Sequence, residues 1–178
     1  MNYIVLGRFQ PLHNGHVFLI ESALEMAGDD DKVVVAIGSA SCQMEPKNPW
    51  TGAERKQMIE AWSEQVEVVL IDDIYDPPNW VEHATKVHGK GVLVTSDRQT
   101  AELYRESNWE VAEVDLDNRE NFEGWRIRQT AKMLSTVDDF DAVREVLSSS
   151  LPSKVIEWLI ENDALYRLST FQTGVYAG

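Results

Sequence analysis

The sequence predicts an α/β fold: a Rossmann-like parallel sheet of about five strands with flanking helices and a helical C-terminal end. Two observations support this prediction. Up to about residue 123, short apolar runs alternate with helical patterns, and such runs are typical of strands covered on both faces. From about residue 124 the pattern is helical only. No linker, repeat or low-complexity tract interrupts residues 1–178, so we expect a single domain.

The elements follow in order along the chain. The predicted strands are residues 3–7, 32–38, 66–72, 91–96 and 109–115. The predicted helices are residues 15–27, 52–64, 79–89, 96–107, 124–134, 139–147 and 152–162. Val17, Ile20 and Leu24 give the first helix its period, and Pro152 suits the first turn of the last one. Strands that alternate with helices need crossover connections, which predicts a parallel sheet.

Composition excludes several classes of protein. The chain has 30 acidic and 16 basic residues, which argues against a duplex-binding protein because phosphate contacts need clustered cations. Cys42 is the only cysteine, so neither an intrachain disulfide nor a multi-cysteine zinc site is possible. No apolar run approaches the roughly 18 residues of a membrane span, and a predicted strand begins too early for a signal peptide. We therefore expect a cytoplasmic protein that binds no nucleic acid and no membrane.

The stretch GRFQPLHNGH, residues 7–16, directly follows the first predicted strand. Ligands of such sheets bind at the carboxyl ends of the strands. Asn14 is expected to cap the following helix, and Gly15 to let a ligand approach the backbone. The helix N-terminus then provides a phosphate seat, toward which His13 and His16 project. The alternative is that both histidines only cap and hydrogen-bond the loop.

This stretch resembles the His-x-Gly-His signature of the nucleotidyltransferase α/β-phosphodiesterase superfamily. With GRFQP before the histidines, it resembles the nicotinamide mononucleotide (NMN) adenylyltransferases of the archaeal and bifunctional bacterial type. The segments IGSAS, KNPWTGAERKQMIEAW, DDIYDPPNWVEH and LPSKVIEWLIE are similar to further parts of that family. The resemblance implies that ATP and NMN react to give NAD and pyrophosphate, by in-line attack of the NMN phosphate on the ATP α-phosphorus.

The resemblance also implies roles for individual residues. The catalytic residues would be His13, His16 and Arg128, with His16 stabilising charge at the α-phosphorus. The ATP-binding residues would be Gly7, Arg8, Phe9, Gln10, Gly15, Ser39, Lys47 and Gly124. The NMN-binding residues would be Asn48, Pro49, Trp50 and Trp80, where core packing is the alternative for both tryptophans. Mg²⁺ is implied as a cofactor on the ATP phosphates rather than in a protein cage, and a homo-oligomer is implied as the assembly.

One segment, EGWRIR at residues 123–128, departs from the superfamily's second signature, Ser-Ser/Gly-Thr-x-x-Arg. Gly124 and Arg128 match it, whereas Glu123 and Trp125 replace small hydroxyl residues. We expect Glu123 to point to solvent and cap its helix. Two alternative functions stay open: nucleotidyl transfer to another phosphate-bearing acceptor, or nucleotide binding without catalysis.

Other polar residues have simpler interpretations. Glu54 and Arg55 suggest either a local ion pair or a ligand contact. The spacing of His83 and His88 is poor for joint metal binding, so we interpret both as surface or core residues. Residues 29–31 are three aspartates, which indicate a solvated turn.

Overall fold

The structure is a computed structural model that describes residues 1–116 and 122–171. Within these ranges five strands form one parallel sheet in the order β3-β2-β1-β4-β5. They are β1 (Asn2–Gly7), β2 (Lys32–Ile37), β3 (Glu67–Leu70), β4 (Gly91–Thr95) and β5 (Glu110–Glu113). All five predicted strands are confirmed, and their ends differ from the predicted ones by at most two residues.

Seven α-helices lie in the same described ranges. They are α1 (Asn14–Met26), α2 (Gly52–Trp62), α3 (Pro77–His88), α4 (Arg98–Glu106), α5 (Gly124–Leu134), α6 (Phe140–Leu147) and α7 (Ser153–Glu161). Pro152 is the N-cap residue of α7 and not part of its first turn. A 3₁₀ helix, Tyr166–Thr170, follows α7, in a region where the sequence shows no clear pattern.

Both faces of the sheet are covered, which explains the continuous apolar runs of the strands. Successive side chains of a strand point to opposite faces. In β1, Val5 packs in the core cluster that also holds side chains of α1, α2, α5, α6 and α7. The preceding residue, Ile4, packs in the cluster that holds side chains of α3 and α4.

The strand order reverses at β1, which has β2 on one side and β4 on the other. The pairing of β1 with β4 stops at Ile4 and Leu93, before either strand ends. The carboxyl ends of the two strands therefore separate and open a crevice at the switch in strand order, where ligands of such sheets bind.

Within residues 1–116 and 122–171, no helix is long and apolar enough to cross a membrane.

Candidate active site

A cavity of about 180 Å³ lies in the crevice between β1 and β4. Its walls come from the carboxyl ends of these strands and from the beginnings of the helices that follow them; they include Leu6, His13, His16, Thr95, Asp97 and Thr100. A larger cavity, of about 380 Å³, lies at the amino ends of β4 and β5 and includes none of the predicted site residues. The smaller cavity is therefore the candidate site.

His13 and His16 form a stacked pair beside this cavity. Their ring centroids are 3.6 Å apart and their planes differ by 21°. The main-chain N–H of His16 donates to Nδ1 of His13 at 3.3 Å, and that of His13 donates to Nδ1 of His16 at 3.4 Å. His13 is thus the N-cap of α1. The prediction that Asn14 caps this helix is wrong, because Asn14 is already its first residue.

Both rings are neutral at physiological pH. Burial, and then the charge of Arg128, lowers the pKa of His13 to about 3. Burial, and then the neighbouring His13, lowers the pKa of His16 well below its usual value. Because each Nδ1 accepts a hydrogen bond, each neutral ring carries its proton on Nε2. The pair can therefore donate hydrogen bonds to anionic oxygens without carrying charge of its own.

The lowered pKa of His13 predicts acid-sensitive folding. Between pH 6.5 and about 3 the unfolded chain protonates this ring while the folded one does not, so the free energy of unfolding falls as pH falls. We expect His13→Asn, which keeps a capping side chain, to reduce this pH dependence in urea titrations. His83→Asn, on the surface of α3, is the control. Equal pH dependence in wild type and His13→Asn would contradict the assignment.

Two glycines of the opening stretch are closely packed. A Cβ on Gly7 would lie 3.2 Å from the Phe9 ring and 3.6 Å from Nε2 of His16, and one on Gly15 would lie 2.8 Å from Cβ of Phe122. The space next to Gly15, which we expected a ligand to use, is therefore filled by the side chain of Phe122. Phe9 is buried with its ring centroid 4.5 Å from that of His16, so it supports this imidazole from within the core.

Arg128 lies under the N-terminus of α5 and is buried. Its Nη1 donates to the main-chain oxygen of Gln10 at 3.0 Å and would be 3.0 Å from a Cβ on Gly124. A side chain at position 124 would therefore displace the guanidinium. Burial, and then the charge of Arg8, lowers the pKa of Arg128 to about 10, which leaves it cationic at neutral pH.

Glu123 pairs with a different arginine of α5. Its side chain makes no capping hydrogen bond to α5, so the expected cap is wrong. The carboxylate instead pairs with exposed Arg126 at 2.7 Å, and this hydrogen bond lowers the pKa of Glu123. Arg126 in turn lies 4.9 Å from the centroid of the Trp125 ring. The departure from the signature therefore adds a surface ion pair.

Gln10 and Trp50 hold each other in the interior. The Gln10 side chain donates to the Trp50 oxygen at 2.9 Å and accepts from its main-chain N–H at 3.1 Å. The buried Trp50 ring donates through Nε1 to the oxygen of Ala164 at 3.1 Å. Neither face of the Trp50 ring is exposed, so it cannot stack on a nicotinamide ring in this structure. The alternative stated for this tryptophan, core packing, therefore applies. The side chain of Gln10 is occupied by protein atoms and not directed to a nucleotide.

Arg55 organises the loops around the site. It is fully buried, and its guanidinium donates to the oxygens of Arg8, Gly38, Ser39 and Ala40 at 2.8–3.2 Å. The suggested pair with Glu54 is wrong, because Glu54 forms a bidentate pair with Arg167, both contacts being 2.7 Å. The spacing of Arg55 from buried Met58 and Ile59 is the signal that indicates its inward face.

The residues predicted for NMN divide into two groups. Asn48 and Pro49 are buried in the loop before α2; Asn48 Nδ2 donates to Glu45 at 2.7 Å, and its Oδ1 has no hydrogen-bond partner among the described residues. Trp80 is half-buried on α3 and lines a cavity of about 260 Å³ that includes Asp73 and Leu103.

The remaining predicted residues lie in the loops that follow β1 and β2. Ser39 follows β2 with a φ of 48°, and Arg55 holds its main-chain oxygen. Lys47 is exposed. Arg8 follows β1 and is half-buried, close enough to Arg128 for their charges to interact. The described residues hold no cluster of three or more His, Cys, Asp or Glu side chains suited to a metal ion.

Known proteins are similar in sequence to most of this chain. The cytidylyltransferase-like family model matches residues 4–157. A nicotinamide-nucleotide adenylyltransferase of Methanolobus tindarius is 32% identical over 93% of this chain and 91% of its own length. One of Picrophilus torridus is 29% identical over 84% of this chain and 99% of its own.

Solved structures share the fold. A bifunctional NMN adenylyltransferase/ADP ribose pyrophosphatase from Francisella tularensis matches with a TM-score of 0.65 and 21% identity over 93% of this chain and 51% of its own. This chain thus spans about half of that protein. Plasmodium falciparum nicotinic acid mononucleotide adenylyltransferase matches with a TM-score of 0.56 and 10% identity over 93% of this chain and 96% of its own. Because its family model matches residues 4–157, the chain belongs to the cytidylyltransferase-like family.

Proposed function

We propose that this protein is a nicotinamide-nucleotide adenylyltransferase, which joins ATP and NMN to give NAD and pyrophosphate. The relatives from Methanolobus tindarius and Picrophilus torridus have this name, and their similarity to this protein extends over most of the chain. The observation that carries the proposal is the stacked pair of neutral imidazoles at the N-terminus of α1, with two arginines nearby. Such a site suits a reaction that transfers a charged phosphoryl group.

The reaction needs no strong base in the protein. An oxygen of the NMN phosphate, already anionic at neutral pH, forms a bond to the ATP α-phosphorus. The bond from that phosphorus to the bridging oxygen breaks, and pyrophosphate leaves with the electron pair. Catalysis then consists of positioning the two phosphates and stabilising charge on the transferring group.

The imidazoles fit the second task. Their Nε2–H groups are donors fixed in direction by the reciprocal Nδ1 hydrogen bonds. His16 would donate to the α-phosphate and His13 to a neighbouring phosphate oxygen, both next to the N-terminus of α1. Arg8 and Arg128 add positive charge on the same side of the sheet, which favours the polyanionic triphosphate.

The other predicted residues would shape the ATP site or bind the two substrates. Gly7, Phe9, Gly15 and Gly124 would shape the ATP site through close packing around the catalytic side chains, and Ser39 and Lys47 would meet phosphates from the loop after β2. Trp80 would stack on the nicotinamide ring. Asn48 would accept from an NMN donor, because a buried oxygen without a partner costs about 1–3 kcal/mol.

Mg²⁺ would accompany the substrate. Imidazoles and arginines are poor ligands for this hard cation, which prefers oxygen, so we propose that the phosphates of ATP carry it. It would supply charge neutralisation on the triphosphate. We also propose that residues 1–178 act as one domain, since α5, α6 and α7 share the core cluster of the sheet. The homo-oligomer and the cytoplasmic location stay predictions.

The proposal is tested by following pyrophosphate release and NAD formation together. We expect both only when ATP, NMN and Mg²⁺ are present, with EDTA abolishing both. Nicotinic acid mononucleotide, pantetheine phosphate and glycerol phosphate serve as alternative acceptors, and CTP as the alternative donor. Turnover with one of the latter two acceptors, and none with either pyridine mononucleotide, would overturn the assignment.

Trp80→Ala is expected to weaken NMN binding by about 1–2 kcal/mol, the size of an aromatic or cation–π contact, and to leave ATP affinity unchanged. Titration calorimetry with each ligand measures both. Trp109→Ala is the matched control: both tryptophan rings pack edge-on against Tyr104, with centroids 6.4 Å away for Trp80 and 5.1 Å away for Trp109, but Trp109 borders the cavity of about 380 Å³. Equal loss of ATP and NMN affinity in Trp80→Ala would make Trp80 a core residue.

A further inference from the structure

The segment Pro49–Thr51 is held by side chains along its whole backbone. It lies just before α2 and belongs to neither a strand nor a helix. Arg167 Nη1 donates to the Pro49 oxygen at 3.0 Å, and Gln10 bonds both main-chain groups of Trp50.

The hydrogen bonds continue to the end of the segment. Glu54 accepts from the Thr51 N–H at 2.8 Å, and Arg55 Nε donates to the Thr51 oxygen at 3.2 Å. Every main-chain polar group from the Pro49 oxygen to the Thr51 oxygen thus has a side-chain partner. Because hydrogen bonds to charged groups are stronger than neutral ones, the charged partners restrain the segment most.

The C-terminal part of the chain contributes directly to this restraint. Arg167 lies in the 3₁₀ helix Tyr166–Thr170 and uses its two terminal nitrogens for the Pro49 oxygen and the carboxylate of Glu54. Both side chains of this ion pair are about three-quarters covered. Burial alone would raise the pKa of Glu54, but the hydrogen bonds from Arg167 and Thr51 outweigh it and lower this pKa. The pair is therefore charged and partly shielded from water at neutral pH.

We propose that Arg167 is a positioning residue for the NMN site: through the Pro49 oxygen and Glu54 it fixes the segment that follows Asn48. This inference rests on the proposed function, in which Asn48 meets the acceptor. The guanidinium of Arg167 contacts neither His13 nor His16 in any hydrogen bond of the described residues, and its hydrogen-bond partners are the Pro49 oxygen and the Glu54 carboxylate. Its removal should therefore affect the acceptor more than ATP.

Arg167→Met tests the inference, because methionine keeps an unbranched stem and loses every donor. We expect the KM and the dissociation constant for NMN to rise about tenfold, the equivalent of one charge-assisted hydrogen bond, while both constants for ATP change less than about twofold. Equal changes for both ligands, or no change for NMN, would overturn the inference.

Arg144→Met is the matched control. Arg144 also forms a bidentate pair with a glutamate, Glu157, at 2.8 and 3.0 Å. This pair connects α6 with α7 and does not involve the segment Pro49–Thr51. We expect NMN binding like that of the wild type, even where the melting temperature falls as much as in Arg167→Met. A matching loss of NMN affinity in the control would reduce the role of Arg167 to general stability and overturn the proposal.

A second variant covers a failure of Arg167→Met to fold. Glu54→Gln keeps an oxygen for the Thr51 N–H and removes the charge that holds Arg167, so NMN binding should weaken about threefold with ATP binding unchanged. Calorimetry separates this inference from the reaction itself. If the wild type binds NMN without turnover, the proposed reaction is overturned, but the NMN affinities of the variants still test the role of Arg167. If the wild type binds no NMN, both the proposed reaction and the role of Arg167 are overturned.

Discussion

Arg128→Ala is expected to lower kcat by about 10²-fold or more, with the protein still folded. The substitution removes a buried cation next to His13, and with it charge that would oppose the negative charge developing on the transferring phosphate. It also removes the hydrogen bond to the Gln10 oxygen, so the loop between β1 and α1, which leads to both histidines, loses a restraint. Arg128→Lys should not restore turnover, because an ammonium lacks the planar fork that reaches Gln10 and the site together.

Two neighbouring variants control for this result. Arg126→Ala removes an arginine from the same helix, but one that is exposed and paired with Glu123, so kcat and the KM for ATP should stay at wild-type values. Glu123→Ser should also leave the KM for ATP unchanged, because the carboxylate faces Arg126. Steady-state kinetics measure kcat and the KM for ATP in all four variants. Wild-type turnover in Arg128→Ala would contradict the placement of α5 at the active site.

His16→Ala is expected to lower kcat by roughly 10²-fold while ATP still binds. The Nε2–H of His16 would contribute most when charge develops at the α-phosphorus, and an interaction made mainly in the transition state affects kcat more than binding. Single-turnover measurements of pyrophosphate release, together with calorimetry for ATP, separate these quantities.

The matched control is His83→Ala, which removes a histidine on α3 whose ring nitrogen Nε2 lies 3.0 Å from the main-chain oxygen of Asp72. It should leave kcat unchanged. His16→Ala also removes the acceptor for the His13 N–H, so circular dichroism should verify that α1 is intact. Normal turnover in a folded His16→Ala protein would exclude a catalytic role for this side chain.

The fold was predictable because its signals are local. The central strands β1, β2 and β4 contain runs of consecutive apolar residues, and α1 has a 3.6-residue period, so both patterns can be found without knowing what packs against them. The errors in the predicted secondary structure lie at the ends of helices and strands, where a single hydrogen bond decides which residue is the first or the last. Asn14 is the better capping residue by preference, yet His13 takes the cap because its Nδ1 meets the His16 N–H. The reciprocal hydrogen bonds between His13 and His16 thus override the intrinsic capping preference.

The site was predictable in part for the same reason. His13 and His16 lie three residues apart in one turn of chain, and the structure brings them into contact. Gln10, Glu54 and Arg167 were not predictable in their actual roles, because their partners lie 40 and 113 residues away. A side chain that binds a distant main-chain group leaves no periodic pattern in the sequence, so the restraint on Pro49–Thr51 appears only in three dimensions.

That restraint has a consequence for amide hydrogen exchange. Irregular segments usually exchange their amide hydrogens fast, because their N–H groups open to water without disrupting anything else. The N–H groups of Trp50 and Thr51 are instead bonded to Gln10 and Glu54, in a segment whose indole packs in the interior. Their protection factors should approach those of the central strands. Protection at the Trp50 amide therefore reports on a side chain 40 residues away, whereas protection at the Thr51 amide reports on the capping box at the start of α2.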